Sequence, residues 1–297
     1  MEASPKPGSK KGKILKLLLK IAVTIACLWY VATKINFTNA AQAIKNANWF
    51  YLFIALVFFI VSKTIAALRL NLYFRDINIH LPGIKNIKLY WLGMFYNLFL
   101  PGAISGDAYK VVVLTKKYNV PYRKTAAAVL IDRFSGLVAL GLILAGYGII
   151  VLPSVFYAGL IVTGAVLGCI TLYLITRFWF SDYIKSLVPT FFLGIAVQVS
   201  QVVCIYFILL SLHLPLQQSA WIFIFLAAAV ITVLPLSLGG GLGTREFVFR
   251  EGALFFLLNP NVAVVISLLF YLCTVVGSLP GLYYVFNDPL KNADPPA

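Results

Sequence analysis

Residues 99–110 read FLPGAISGDAYK, and the fold turns on how this stretch is taken. A run of large apolar residues stops at Pro101. Gly102 and Gly106 follow, and Asp107 and Lys110 then stand three residues apart. Proline removes a backbone donor and its ring obstructs the preceding turn, so the incoming helix ends here. The two glycines permit a tight reversal. Ser105 is placed to cap a second helix over GDAYKVVVLTKK, with Asp107 in its first turn and Lys116 and Lys117 at its end, the sense the helix dipole favours. Much the same recurs in VLPLSLGGGLGTREFVF, residues 233–249. There Pro235 ends the run, Gly241 and Gly243 belong to a glycine-rich break, and Thr244 can cap a helix that carries Arg245 and Glu246.

The composition says what these breaks interrupt. Of 297 residues 61% are hydrophobic and 11% charged, whereas a soluble domain carries about 25% charged residues. Too few polar side chains exist to cover a water-facing surface. The chain reads as an all-α polytopic membrane protein. Its formal charge of +15 raises nucleic-acid binding, but the lysines and arginines lie in short loops between apolar runs, as the positive-inside rule describes. No nucleic-acid partner is expected. Cys27, Cys169, Cys204 and Cys273 each lie singly in apolar runs and read as packing residues. His80 and His213 are far apart and lack carboxylate partners at ligand spacing, so no metal or other cofactor is expected.

Apolar runs at about 14–33, 49–68, 126–151, 156–176, 191–212 and 262–286 read as six full spans. The stretches 89–116 and 219–258 are apolar but broken in the middle. Residues 1–13 carry four lysines, and the loops 69–88, 116–124 and 177–190 are basic, whereas 151–156, 213–219 and 259–261 have no Lys or Arg. The first set is expected on the cytoplasmic side. Each broken stretch then enters and leaves on one side, which makes two re-entrant helical hairpins. Broken backbone at membrane depth is tolerated where it is buried in protein or lines a cavity. The order (two spans, a hairpin, a span) occurs twice with opposite orientation, the pattern of an inverted repeat whose interrupted segments mark a binding site. The expected organisation is a basic cytoplasmic segment 1–13, a membrane domain 14–286 with repeats at about 14–151 and 156–286, and a cytoplasmic tail 287–297. The expected location is the cell (inner or plasma) membrane, with both termini cytoplasmic.

The charges at the breaks admit two readings each. Asp107 is either a first-turn acid that complements the dipole or part of a binding site, the depth of the hairpin favouring the second because a charge at the bilayer centre costs about 2.5–3.5 kcal/mol. Glu246 and Arg250 have the spacing of a helical ion pair that would only fix the second hairpin, or they serve a ligand. Asp132 and Arg133 are adjacent and point about 100° apart on a helix, so they serve different partners. Arg133 can reach back to Asp107 or to a phosphate, and Asp132 fits the cytoplasmic interface. Asn97, one turn before Pro101, can bond backbone groups freed in the break. Two helix N-termini together with Lys110, Arg133 and Arg245 suit an anionic group such as phosphate. Asp107 and Glu246 add room for a cationic part of a headgroup.

The motif N-x3-P-G-x3-G-D-x2-K over Asn97–Lys110, then Asp132-Arg133, then LP-x-S…GLG-x-RE over Leu234–Glu246, resembles the lysylphosphatidylglycerol synthase/flippase transmembrane family. The resemblance extends over about 14–286, and its matching positions are Asn97, Pro101, Gly102, Gly106, Asp107, Lys110, Asp132, Arg133, Pro235, Gly241, Gly243, Arg245 and Glu246. It implies movement of lipid headgroups between leaflets, with no synthase activity, because no soluble aminoacyl-transferase segment follows Phe286. The expectation is a lipid flippase, not an enzyme. Asp107, Lys110, Arg133, Arg245 and Glu246 would bind the headgroup of an anionic or zwitterionic phospholipid or a polyprenyl phosphate. No nucleotide-binding motif is present, so ion coupling, membrane potential or the lipid gradient would drive it. Two alternatives stand beside it. One is an intramembrane enzyme acting on lipid phosphates, for which no histidine or paired-carboxylate constellation is found. The other is a non-catalytic partner or scaffold for a separate synthase or glycosyltransferase.

Overall fold

The computed structural model describes residues 45, 47–99, 105–233 and 244–291. Its elements are all helical: α1 (Trp49–Arg75), α2 (Gly83–Phe99), α3 (Ser105–Tyr118), α4 (Tyr122–Val151) and α5 (Val155–Trp179), a short 3₁₀ turn Ser181–Tyr183, then α6 (Ile184–Ser211), α7 (Ala220–Val233), α8 (Thr244–Phe255), α9 (Pro260–Ser278) and α10 (Pro280–Phe286). Among the described residues five stretches are long and apolar enough to cross a membrane: 49–75, 122–151, 155–179, 181–211 and 260–286. The expected span at 14–33 lies outside the described residues, as do the tail 292–297 and the breaks 100–104 and 234–243. α2 and α7 stop at Phe99 and Val233, and new helices start at Ser105 and Thr244. At 1.5 Å per residue none of these four helices exceeds about 26 Å, less than the ~30 Å hydrocarbon core.

Several helix ends have identifiable causes. Asn48 caps α1 by accepting from Phe50 N at 3.0 Å, and Asn259 caps α9 by accepting from Asn261 N at 2.9 Å, with Pro260 in the first helical position. α1 runs seven residues beyond the 49–68 read as its span, carrying Arg69 and Arg75 inside the helix rather than in a loop. The reason is long-range. Arg69 is buried against an acid on α4, so its charge does not end the helix.

Among the described helices α1 and α6 make the most extensive contact, and α4 packs between α5, α6 and α7. One cluster of large buried side chains joins α1, α6, α7, α8 and α9 through Phe59, Ile205, Trp221, Phe225, Phe249 and Leu269. A second joins the far end of α1 to α2, α3 and α4 through Tyr73, Phe74, Leu89, Leu114 and Ile131. α5 instead turns much of its surface outward, with Phe156, Leu160, Leu167, Ile170 and Leu174 exposed, as a lipid-facing helix does.

Interactions between the ends sort the loops into two faces. Lys85, near the start of α2, and Lys117, near the end of α3, both donate to carbonyls of the same turn, at Lys291 and Leu290. Lys124 pairs with Asp182 at 2.8 Å, and Tyr183 donates its hydroxyl to the Lys124 carbonyl. Among the described residues the basic loops therefore share one face. At the start of α1, Asn48 N donates to Ser211 O at the end of α6 (2.8 Å). Phe223 near the start of α7 and Phe256 just after α8 meet edge to face at 5.7 Å.

Candidate functional site

A cavity of about 320 Å³ lies where α1, α2, α3, α4 and α6 converge. The last residues before both breaks reach it, Asn97 and Leu98 from α2 and Thr232 and Val233 from α7. The start of α3 is tied to the end of α2. Gly106 N donates to Asn97 Oδ1 at 2.8 Å, and Ser105 Oγ donates to the Tyr96 carbonyl at 2.9 Å. Asn97 thereby satisfies one of the amides that a helix start leaves without an intrahelical acceptor. Gly106 lies within α3, not in the reversal, and is glycine for a packing reason: a Cβ there would overlap the Gly93 carbonyl of α2. A Cβ on Gly93 would in turn overlap the Lys110 side chain.

This crossing delivers Asp107 and Lys110 into the protein, buried at 7% and 3% exposure. Lys110 Nζ donates to Asp107 Oδ1 at 2.9 Å and stands 4.2 Å from the Tyr90 ring centroid. Arg133, half-buried on α4, grips Asp107 Oδ2 through Nε and Nη2. One carboxylate thus holds two cations, a triad of net charge +1. In a low-dielectric surrounding such charge-assisted bonds are strong and their geometry specific.

Next to the triad is a second pair. Arg69 Nε and Nη2 donate to Asp132 Oδ1 (2.8 Å) and Oδ2 (3.0 Å), and Nη2 also reaches the Asp132 carbonyl at 3.0 Å. The guanidinium fits because two helices carry no side chain beside it. A Cβ on Gly136 of α4 would come within 2.9 Å of Arg69 Nη1, and one on Gly194 of α6 within 3.3 Å. Asp132 is thereby buried inside the protein at 5% exposure, paired with a residue of another helix. The pair is neutral as a unit.

Lys63 is different. It lines the cavity, half-buried, with its ammonium 4.9 Å from the Phe59 ring centroid. Among the described residues it has no carboxylate within ion-pair distance and no hydrogen bond. Phe59, Lys63, Ala66 and Leu70 follow one another at helical spacing, so one stripe of α1 faces the cavity. Lys63 is about 21 Å along α1 from Trp49 and about 18 Å from Arg75 at 1.5 Å per residue, close to the middle of a span.

Of the residues expected to bind a headgroup, the structure brings Asp107, Lys110 and Arg133 together at the cavity and leaves Arg245 and Glu246 out of its lining. Arg245 is buried on α8 with its guanidinium carbon 4.9 Å from the Phe270 ring centroid, within electrostatic range of Lys63. Glu246 accepts from Ser267 Oγ at 3.2 Å, and Arg250 has Glu251 at 3.4 Å on the exposed side. Pro101, Gly102, Pro235, Gly241 and Gly243 lie outside the described residues. The sequence reading missed Lys63, Arg69, Tyr90, Gln198 and Gln201, all of which line the cavity. For Lys63 the signal was present: a lone lysine in the centre of an apolar run of spanning length.

A family described as the lysylphosphatidylglycerol synthase TM region matches residues 17–185, more than half of the chain. The matched stretch includes the first break, Asp107, Lys110, Asp132 and Arg133, and ends before the second break. A UPF0104 membrane protein of Pyrococcus horikoshii, PH1989, is 27% identical over 123 residues, which are 41% of this chain and 36% of that protein. The chain thus matches only about a third of that relative's length. No solved structure matches the chain.

Proposed function

Since this chain belongs to the lysylphosphatidylglycerol synthase TM region family, we propose that it is a lipid translocator of the cell membrane, carrying a phosphate-bearing headgroup between leaflets through the charged cavity. The observation that carries the reading is the charge sum in one cavity. Lys63, Arg69, Lys110 and Arg133 face Asp107 and Asp132, a net of +2 at a depth where polar groups are costly unless they serve a ligand. A phosphate supplies the opposite charge, and the acyl chains can stay in the surrounding lipid.

The architecture that goes with this reading has six spans, the first within 14–33, and two re-entrant hairpins. Three observations support it. Both ends of the α2–α3 pair contact residues 290–291, and Phe223 and Phe256 bring the outer ends of α7 and α8 together. The helix ends recur in order through the two halves, Arg75 against Ser211, Phe99 against Val233 and Val151 against Phe286. Contacts also match when the halves are exchanged: α4 packs on α7 as α9 and α10 pack on α2, and α1 meets its own counterpart α6. An inverted repeat of this kind can rock about a fixed site, opening the cavity to each leaflet in turn. The basic face then lies on the cytoplasmic side, with both chain termini.

The test is translocation of fluorescent phosphatidylglycerol in proteoliposomes of the purified protein. Wild type is expected to move the lipid at least tenfold faster than protein-free vesicles. Asp107→Asn, which leaves Lys110 and Arg133 without their shared counter-charge, is expected to bring the rate down toward background. Equal rates with and without wild-type protein would overturn the proposal.

A further inference from the structure

We infer that Lys63 is the anchor for the phosphate of a headgroup that is net anionic, and that the cavity discriminates against aminoacylated, cationic headgroups. The inference rests on the reading of the cavity as a headgroup site and adds which chemistry it selects. Among the described residues every acid in the lining is already held by cations of the protein. Asp132 has its two carboxylate oxygens on Arg69, and Asp107 has Lys110 on one oxygen and Arg133 on the other. Glu246, the remaining acid expected to take part, is not in the lining. A cationic headgroup entering the cavity would therefore find no carboxylate except by breaking a buried ion pair, and it would meet the repulsion of a net +2 lining. An anion meets the opposite situation. Lys63 projects an ammonium with three donors into the cavity and, among the described residues, has neither ion pair nor hydrogen bond.

The surroundings of Lys63 fit a compact anion. Ala66 lies one turn along the same stripe, and Gln201 of α6 adds a side chain able to donate hydrogen bonds in the same lining, whereas Thr274 of α9 already gives its hydroxyl proton to the Phe270 carbonyl at 3.0 Å. Gln198 is already occupied, its amide nitrogen on the Gly136 carbonyl at 3.3 Å. The phosphate is thus met by one full charge and neutral donors. The triad around Asp107 supplies a residual +1 in the same lining. Lysine binds phosphate as a point charge, without the planar fork of arginine, which suits a ligand that must leave again.

Thermal unfolding of the full-length purified protein, in detergent with added lipid, reads this binding independently of transport. Phosphatidylglycerol is expected to raise the midpoint of wild type and of Lys63→Arg in a concentration-dependent way. Lys63→Gln is expected to fold with a midpoint at or above that of lipid-free wild type, since it removes an uncompensated charge, and to need about tenfold more phosphatidylglycerol for the same shift. Lysyl-phosphatidylglycerol is expected to bind wild type about tenfold more weakly than phosphatidylglycerol. Equal phosphatidylglycerol shifts in wild type and Lys63→Gln would overturn the role of Lys63, and equal affinity for the two lipids would overturn the selectivity. Displacement of phosphatidylglycerol by inorganic phosphate at equal concentration would assign the site to free phosphate and overturn its lipid form. Binding as expected together with no translocation would count against the transport reading while leaving this anion site in place.

Discussion

Asp132 and Arg69 come from helices 63 positions apart in the chain and satisfy one another inside the protein. Breaking such a pair by removing one partner leaves a buried charge uncompensated, at a cost of about 3–5 kcal/mol. Asp132→Ala is therefore expected to lower the unfolding midpoint substantially, and Arg69→Met/Asp132→Leu to recover much of the loss, because the double change removes both charges. Thermal unfolding of the two variants checks this, and a double variant no more stable than the single one would contradict it. The same pair shows where the residue-scale reading of the sequence stopped. Asp132 next to Arg133 was legible as two side chains with different partners, and Arg133 was legible as reaching toward Asp107. The partner of Asp132 was not. Arg69 sits at the edge of an apolar run, where an arginine looks like the start of a loop. Only the glycines at 136 and 194, on two other helices, make the space that buries it.

At the scale of elements, the two breaks were readable because proline and glycine act locally. Pro101 and Pro235 interrupt apolar runs regardless of what packs against them, and each incoming helix ends two positions before its proline, at Phe99 and Val233. The role of Gly106 was not readable in the same way. In the sequence it belongs to a flexible turn; in the fold it is the point where α3 crosses α2 backbone to backbone. Gly106→Ala must separate the two helices and shift Asp107 away from Arg133. A change of this kind in a close-packed crossing typically costs about 1–3 kcal/mol. Gly146→Ala, on an outward face of α4 where an added methyl group meets nothing within 4 Å, is expected to leave stability unchanged or slightly raised. The comparison of the two unfolding midpoints tests the crossing: similar values would mean that α2 and α3 are not held by it.

For the whole molecule, hydropathy and loop charge were enough to place five apolar spans and to predict that the basic loops share a face. Those features are carried by many residues at once and survive errors at any one of them. The cavity was less legible, because it depends on which faces of seven helices turn toward one another. Lys63 illustrates the gap: its depth in the membrane can be read from the run of apolar residues around it, but not that it faces the site. The central claim is that the cavity itself is the path of the headgroup. Gln201 lines it from α6 and is not engaged in the ion pairs. With the four native cysteines replaced and Gln201→Cys introduced, the protein in proteoliposomes should translocate phosphatidylglycerol at close to the wild-type rate. After alkylation of that thiol with a bulky maleimide the rate should fall to that of protein-free vesicles. Undiminished translocation by the fully alkylated protein would show that the headgroup does not pass this way.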